Sequence, residues 1–159
     1  MKEIKLTQGK VALVDDEDYE YLDQFKWQAS KGLHTYYARR NGRLYNGKRI
    51  TIRMHQEIMH FPDNMLIDHI DHNGLNNQKH NLRVCTILQN QMNATGREDS
   101  NSIYKGVCWH KRIQKWRAQI HLNRRQKFLG YYKNEEDAAM AYNKKAKELF
   151  GEFAKLNII

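Results

Sequence analysis

Basic side chains are concentrated in the last 60 residues of this 159-residue chain. Residues 100–159 carry 13 Lys or Arg and 5 Asp or Glu, a net charge of +8. Residues 1–99 carry 14 basic and 13 acidic side chains, a net charge of +1, together with six of the eight histidines. The asymmetry favours two regions with different roles and a polyanionic partner for the basic one, although a merely solvated basic face is the simpler alternative.

A polar segment separates these regions. Residues 94–102, with the sequence Ala-Thr-Gly-Arg-Glu-Asp-Ser-Asn-Ser, have the composition of a loop. The length of the chain suits one ordinary domain or two small ones. We therefore predict two domains, residues 1–99 and residues 100–159.

Composition excludes several classes of protein. Apolar residues make up 40% of the chain, which is enough to bury a core. Two cysteines, Cys85 and Cys108, are too few for a disulfide-stapled secreted scaffold or a four-cysteine zinc site. The apolar runs are too short to span a bilayer, and the N-terminus lacks a secretory signal. We expect a cytoplasmic protein that is not secreted and has no membrane partner.

The first region combines short strands with helices. Predicted strands are 10–14, 25–29, 35–40 and 48–54, and Asn41-Gly42 and Asn46-Gly47 are hairpin signals. A short helix is predicted from His55 to Phe61, where Pro62 ends it. An irregular Asn-rich stretch over 66–81 and a helix over 82–93 complete the predicted elements.

The second region alternates between apolar and polar residues in three runs, 104–109, 115–122 and 126–132, followed by a helix that begins after Asn134 and ends at Gly151. The predicted fold class is therefore α+β, with a three-stranded antiparallel sheet packed on one helix. Alternation places Lys115, Arg117, Gln119 and His121 on one face of the middle strand. That face suits a nucleic acid, because a β-ribbon fits the major groove, where Gln119 could read adenine.

The residues with the clearest chemistry lie between Asp68 and Asn90. Asp68 and Asn90 offer carboxylate and amide oxygens, which suit Mg²⁺ with water and phosphate in its remaining positions. His69 can take a proton from water near neutral pH, and the side-chain carbonyl of Asn81 is a candidate to orient its imidazole. Asn73, Asn76 and Asn77 are more typical of turn chemistry than of catalysis, and Asp71 of a loop-fixing residue.

The spacing of Asp68-His69, Asp71, Asn73, Asn76-Asn77, Asn81-Leu82-Arg83, Thr86 and Asn90 resembles the HNH endonuclease family, in its phage homing-endonuclease branch. The resemblance implies a ββα-metal nuclease domain with extra N-terminal strands. It also implies that Asp68 and Asn90 bind Mg²⁺ or Mn²⁺, that His69 is the general base, and that Asn81 orients His69 or the phosphate. His55 matches the family's upstream histidine. His72 departs from the pattern, since the family often has glycine there.

The second region resembles the DNA-binding domain of the plant APETALA2 and ethylene-response factors, through Tyr104-Lys105-Gly106-Val107, Trp116-Arg117-Ala118-Gln119-Ile120, Phe128-Leu129-Gly130-Tyr131, Ala138-Ala139-Met140-Ala141-Tyr142 and Ala154-Lys155-Leu156-Asn157. The resemblance assigns DNA contacts to Lys105, Cys108, His110, Lys115, His121, Gln126 and Phe128. Arg112, Arg117, Arg124 and Arg125 are additional candidates for phosphate contacts. Trp116 is expected in the core, and the side on which Trp109 lies is left open.

Together the two resemblances imply a site-directed DNA endonuclease of the homing type that acts on double-stranded DNA. Its products could be nicked or doubly cut DNA. A monomer is favoured, but the sequence leaves the oligomeric state open. A catalytically inactive, sequence-specific DNA-binding regulator is the alternative function, and RNA binding is a weaker one.

Overall fold

A computed structural model describes residues 1–45, 47–94, 101–123 and 125–159. The chain forms two compact units, Met1–Thr86 and Ile87–Ile159. The boundary predicted near residue 100 lies outside the described residues, and the helix that follows Thr86 is grouped with the second unit. No helix in the described ranges is both long and apolar enough to cross a membrane.

The first unit contains three small antiparallel sheets and two short helices. β1 (Lys2–Lys5) pairs with β2 (Val11–Val14), and α1 (Asp16–Leu22) follows them. β3 (Gln28–Lys31), β4 (Tyr36–Tyr45) and β5 (Lys48–Arg53) form a meander that leads into α2 (Met54–Ile58). β6 (Leu66–His69) pairs with β7 (Leu82–Cys85).

Two sequence predictions in this unit are wrong. Leu66–His69 is a strand rather than irregular chain, and Leu82–Cys85 is a strand rather than the start of a helix. Each of these segments is only four residues long, so the cross-strand pairing of one with the other decides their conformation more than local propensity does. Asn41-Gly42 also lies inside β4, next to a register irregularity, and not in a turn.

The core of the first unit draws on nearly every element. Its most deeply buried side chains include Ile4, Val14, Leu22, Trp27 and Met54. The indole Nε1 of Trp27 donates a hydrogen bond to the carbonyl oxygen of Leu22 (2.8 Å), so the one polar atom of this large ring is satisfied inside the core. This core supports the strands that carry the candidate site.

The second unit contains α3 (Ile87–Asn93), β8 (Val107–His110), β9 (Lys115–Leu122), β10 (Arg125–Tyr132) and α4 (Glu135–Phe150). The strands form an antiparallel sheet with β9 in the centre. The residues of α4 that are buried on the sheet are Ala138, Ala139, Tyr142, Ala146 and Phe150. The small alanine side chains let the helix backbone lie close to the sheet. The three predicted strands and the helix are therefore present within a few residues of their predicted bounds.

Gly106 is a position where this unit requires glycine. Its φ angle of +77° lies in the left-handed region, and a Cβ atom there would stand 2.1 Å from a ring carbon of Tyr142. The Tyr104-Lys105-Gly106-Val107 segment can therefore pass over the buried tyrosine only without a side chain at residue 106.

Candidate functional site

Asp68 and His69 occupy the end of β6, and both are buried, with relative exposures of 8% and 5%. Asp68 lies opposite Arg83 of β7 in the strand register. The guanidinium of Arg83 donates from Nε (3.0 Å) and Nη2 (2.7 Å) to Oδ2 of Asp68. This ion pair offsets the cost of placing a carboxylate in a largely dry environment.

Three rings surround the end of this strand. The His69 ring centroid lies 4.9 Å from that of His55 on α2 and 5.8 Å from that of Tyr37 on β4. Desolvation lowers the pKa of His69, although the hydrogen bond with Asn77 and the charges of Asp71 and Asp68 act in the opposite direction. The imidazole of His69 is therefore neutral at neutral pH, which is the form that accepts a proton.

His55, the upstream histidine of the predicted motif, lies beside this site and is also buried. Desolvation, followed by repulsion from His69 and Arg53, lowers the pKa of His55 to about 3. Within the described residues its Nδ1 has no hydrogen-bond partner. The structure thus places His55 as a neutral neighbour of His69.

Asn77 contacts the imidazole of His69. Its side chain is completely buried, and its Oδ1 lies 3.4 Å from Nε2 of His69. The amide nitrogen of Asn77 donates to the carbonyl oxygen of Leu75 (3.2 Å), so the amide oxygen faces the ring. Because the amide oxygen can only accept a hydrogen bond, Nε2 must carry the proton of the neutral imidazole. The lone pair that can take up a further proton is then on Nδ1.

Asn81, which the sequence predicted as the residue that orients His69, has other partners. Its amide nitrogen donates to Oδ1 of Asp71 (2.9 Å) and to the carbonyl oxygen of Asn76 (2.8 Å). Its Oδ1 accepts a hydrogen bond from the backbone N–H of Asp71 (3.0 Å). The side chain of Asn81 therefore closes the loop between β6 and β7, and the contact expected of it with His69 is made by Asn77.

Asp71 organises this loop, as the sequence predicted. Its carboxylate accepts hydrogen bonds from the backbone N–H of Asn73 (2.8 Å) and from the side chains of Asn76 and Asn81. Desolvation raises the pKa of Asp71, but the hydrogen bonds from Asn76, Asn73 and Asn81 outweigh it and lower that pKa overall. His72 next to it has a φ angle of +65°, a conformation that favours glycine. This backbone conformation accounts for the glycine that the HNH pattern often has at this position.

The N-terminal strands hold the loop in place. The backbone of Leu13 in β2 bonds to Leu75 and Asn77, at 2.8 Å in each case. Gly74 lies so close to β4 that a Cβ atom would stand 2.5 Å from the carbonyl oxygen of Tyr36. Asp15 accepts a hydrogen bond from the backbone N–H of Lys79 (2.7 Å). Asp15, which directly follows β2, thus fixes the far end of the loop.

The predicted metal ligands are oxygen donors on different units. Asp68 belongs to β6 in the first unit, and Asn90 is a half-buried residue of α3 in the second. A carboxylate and an amide oxygen fit a hard cation such as Mg²⁺, which keeps several waters. In the parts of the chain that the structure describes, no three or more His, Cys, Asp or Glu side chains cluster so as to hold a metal.

The sheet of the second unit presents one face that is rich in polar and basic side chains. The strand register and alternation place on it Cys108, His110, Lys115, Arg117, Gln119, His121, Gln126 and Phe128. On this face Oε1 of Gln119 accepts hydrogen bonds from Nη2 of Arg117 and from Nε2 of Gln126. Trp109 and Trp116 lie opposite each other in the register, with ring centroids 5.1 Å apart, on the side that faces α4.

Three of the predicted DNA contacts lie elsewhere in the second unit. Lys105 donates from Nζ to the carbonyl oxygens of Met92 and Ala94 at the end of α3, and burial and the nearby Lys155 lower its pKa to about 8. Arg112 is exposed in the turn between β8 and β9. Arg125 pairs with Leu122, which places it on the α4 side of the sheet. Arg124 lies outside the described residues.

Sequence reasoning missed Asn77 and Tyr37 as members of the His69 site. Asn77 stands in the quoted motif, but its spacing from His69 also fits a turn residue. Tyr37 lies on β4, more than 30 positions earlier in the chain, and only the close approach of Gly74 brings it to the histidine.

Comparison with known proteins finds similarity over this site and beyond it. Residues 60–92 match a family described as HNH endonuclease. The chain is 33% identical over 154 residues, 95% of its own length and 76% of the relative's, to a protein named uncharacterized HNH endonuclease L560 of Acanthamoeba polyphaga mimivirus. It is 32% identical over 94 residues, 59% of its length and 77% of the relative's, to Protein 3.8 of Escherichia phage T7. No solved structure matches.

Proposed function

This chain belongs to the HNH endonuclease family, and from that premise we propose that it is a site-directed DNA endonuclease of the homing type. The observation that carries the proposal is the buried His69, which is neutral and oriented by Asn77 beside the carboxylate of Asp68. A fixed, desolvated base next to an oxygen ligand is what hydrolysis of a phosphodiester requires.

In the proposed reaction His69 accepts a proton from a water molecule through Nδ1. The water oxygen attacks phosphorus, the bond from phosphorus to the leaving deoxyribose oxygen breaks, and that oxygen takes a proton from solvent. Asn77 holds the imidazole in the required tautomer throughout, because its amide oxygen accepts a hydrogen bond from Nε2–H. The rings of His55 and Tyr37 pack against the imidazole of His69.

We further propose that Asp68 and Asn90 are the ligands for Mg²⁺ or Mn²⁺, as the family resemblance implies. When bound, a divalent cation supplies positive charge for the phosphoryl and leaving oxygens. Arg83 holds the carboxylate of Asp68 in one orientation, with Oδ2 engaged, so the carboxylate is preset for a ligand. DNA cleavage that depends on added Mg²⁺ or Mn²⁺ tests these roles.

For the second unit we propose recognition of double-stranded DNA through the basic sheet face, as in the APETALA2-like domain that its motifs resemble. The net charge of +8 over residues 100–159, with no acidic residue between 100 and 133, supports a polyanionic partner. Lys115 and Arg117, which lie on the basic face, would supply phosphate contacts, and Gln119 and Gln126 would face base edges.

The test is cleavage of a supercoiled plasmid that carries DNA from the neighbourhood of the gene. The full chain is compared with His69→Ala and with His80→Ala, a variant of an exposed histidine in the same loop, in Mg²⁺ and in EDTA. We expect cleavage in Mg²⁺ alone, a loss of at least about a hundredfold in His69→Ala, and wild-type rates in His80→Ala.

The products separate the remaining possibilities. Open-circle DNA identifies a nicking enzyme, and linear DNA identifies paired cuts. If His69→Ala cuts as fast as the wild type, the assignment of the general base is wrong. A salt-sensitive gel shift with no cleavage in any divalent metal would instead support a DNA-binding regulator with an inactive nuclease domain.

A further inference from the structure

Strand β10, at one edge of the sheet, contains a β-bulge near the middle of its length. Phe128 pairs with Gln119, but the next pair is Gly130 with Ala118, so one extra residue lies in β10. Gly130 has a φ angle of +145°, which a residue with a side chain rarely adopts. A bulge of this kind changes which side chains point to each face of the strand.

The bulge moves Tyr131 to the basic face. Regular alternation would place Phe128, Gly130 and Tyr132 on one face and Tyr131 on the other. Instead Tyr132 packs against the core under α4, while Tyr131 pairs with Arg117 of β9. Regular alternation alone would therefore place Tyr131 on the opposite side of the sheet.

On this face Tyr131 joins an aromatic cluster. Its ring centroid lies 4.9 Å from that of Phe128 and 5.3 Å from that of His110. Phe128 and Tyr131 retain 53% and 36% of their accessible surface, so two large rings are exposed side by side. Neighbouring rings left in water on a folded domain indicate a binding surface more than a core.

The surroundings of the cluster favour one occupant. Arg117 is the cross-strand neighbour of Tyr131, Lys115 that of His110, and residues 100–133 include no acidic side chain. A cationic surface with exposed rings at its centre complements the phosphates and the apolar sugar and base edges of DNA. A thymine methyl group is one partner that such rings contact in the major groove.

We propose that Tyr131 is a further contact to double-stranded DNA, which packs on sugars or base edges beside Phe128 and His110 while Arg117 and Lys115 bind phosphates. This inference rests on the proposed DNA-binding function of the second unit and adds to it a contribution that does not depend on counterion release. Tyr131 is the residue that distinguishes this cluster, because only the bulge brings it there.

The experiment measures DNA affinity of the full chain by fluorescence anisotropy, with a duplex target at several salt concentrations. The variants are Tyr131→Ala, Tyr131→Phe, Lys115→Ala and, as a control on the exposed side of α4, Met140→Ala. We expect Tyr131→Ala to weaken binding about tenfold with an unchanged salt slope, because it removes an apolar contact and no charge. Tyr131→Phe and Met140→Ala should bind as the wild type does.

Several results would overturn the inference. Wild-type affinity in Tyr131→Ala would remove Tyr131 from the interface, and a reduced salt slope like that of Lys115→Ala would mean that the ring acts only by positioning Arg117. Tighter binding to single-stranded DNA than to the duplex would show that double-stranded DNA is not the partner of this cluster. Absence of any DNA binding by the wild type would instead refute the proposed function itself. Circular dichroism of each variant checks that the sheet is intact.

Discussion

The two candidate surfaces of this protein are built in opposite ways. Around His69, three polar contacts fix buried side chains: Asn77 contacts His69, Arg83 binds Asp68, and Asn81 closes the loop. The basic sheet face of the second unit has exposed rings and cations and few fixed contacts beyond those of Gln119.

The difference matches what the two proposed roles require. Proton transfer needs a base whose pKa and tautomer are fixed, and burial with a hydrogen-bond partner provides both. Binding to a phosphate backbone needs charges that can reach their partners and release counterions, and burial would remove that ability. A substitution in one unit should therefore leave the properties of the other unit unchanged.

The largest expected effect comes from Gly106→Ala, which should damage the second unit alone. The new Cβ atom would stand 2.1 Å from the Tyr142 ring in a backbone conformation unfavourable to alanine. Left-handed strain and overpacking together cost roughly 2–5 kcal/mol of stability. Hydrogen exchange measured by peptide should show lost protection in residues 101–123 and 125–159, with little change in 1–45 and 47–86.

Gly151→Ala is the matched control for this change. Gly151 also has a left-handed φ angle, of +53°, but a Cβ atom there would have no neighbour within 4 Å. Only the backbone strain of about 1–2 kcal/mol should then appear. Equal losses in the two variants would mean that the contact with Tyr142 contributes nothing, and lost protection throughout the first unit would show that the units unfold together.

The sequence predicted the second unit better than the first for a physical reason. Its strands are long enough to show alternation, and α4 shows helical spacing and a glycine stop, so local patterns decide these elements. In the first unit β6 and β7 are four residues each and form by pairing with one another across an intervening loop. The conformational preferences of single residues give no information about that pairing. For this reason the sequence prediction is wrong for both strands.

The candidate site shows the same limit. The identities of Asp68, His69 and Asn90 follow from their order and spacing, which the sequence displays directly. The partner of His69 depends on the course of the loop, which is set by contacts from Leu13, Thr35 and Asp15 far away in the chain. The sequence therefore predicts a candidate base and candidate ligands, but it does not predict which asparagine contacts His69.

The second prediction concerns acid sensitivity, which should originate in the first unit. The pKa of His55 is about 3 in the folded state, against an ordinary value of 6.5. Between these two pH values the unfolded state binds a proton and the folded state does not. Its contribution to stability is complete above pH 6.5 and decreases as the pH falls toward 3. At pH 5 the loss is roughly 2 kcal/mol. Thermal unfolding from pH 7 to pH 5 measures it.

The groups around His55 define the control for that experiment. His69, Tyr37 and Arg53 are its neighbours, and His69 also has a lowered pKa, so His55→Gln should reduce the pH dependence without abolishing it. His80→Gln, at an exposed site, should retain the wild-type dependence. An unchanged slope in His55→Gln would show that its burial is not the source of the acid sensitivity.

The third prediction decides which asparagine serves His69. Asn77→Ala removes the acceptor of the Nε2 proton and should lower kcat for cleavage about tenfold, which equals about 1.4 kcal/mol, with DNA affinity unchanged. The ¹⁵N chemical shifts of the His69 ring should show a mixture of tautomers in this variant. Asn81→Ala should lower stability through the loop but keep the Nε2–H tautomer. Mixed tautomers in Asn81→Ala and a single Nε2–H tautomer in Asn77→Ala would instead show that Asn81 orients His69.

The smallest expected effect is in the salt dependence of DNA binding, and it should arise only from the basic face. Lys115→Ala removes one cation that lies on this face, so the slope of log affinity against log salt should fall by about 1. Lys127→Ala removes the same charge from a residue that pairs with Ile120, on the α4 side of the sheet, and should leave the slope nearly unchanged. If both variants lower the slope equally, DNA responds to the net charge of the unit, and the distinction between a binding face and a packing face fails. If only Lys115→Ala does so, the contacts are local, as the strand register implies.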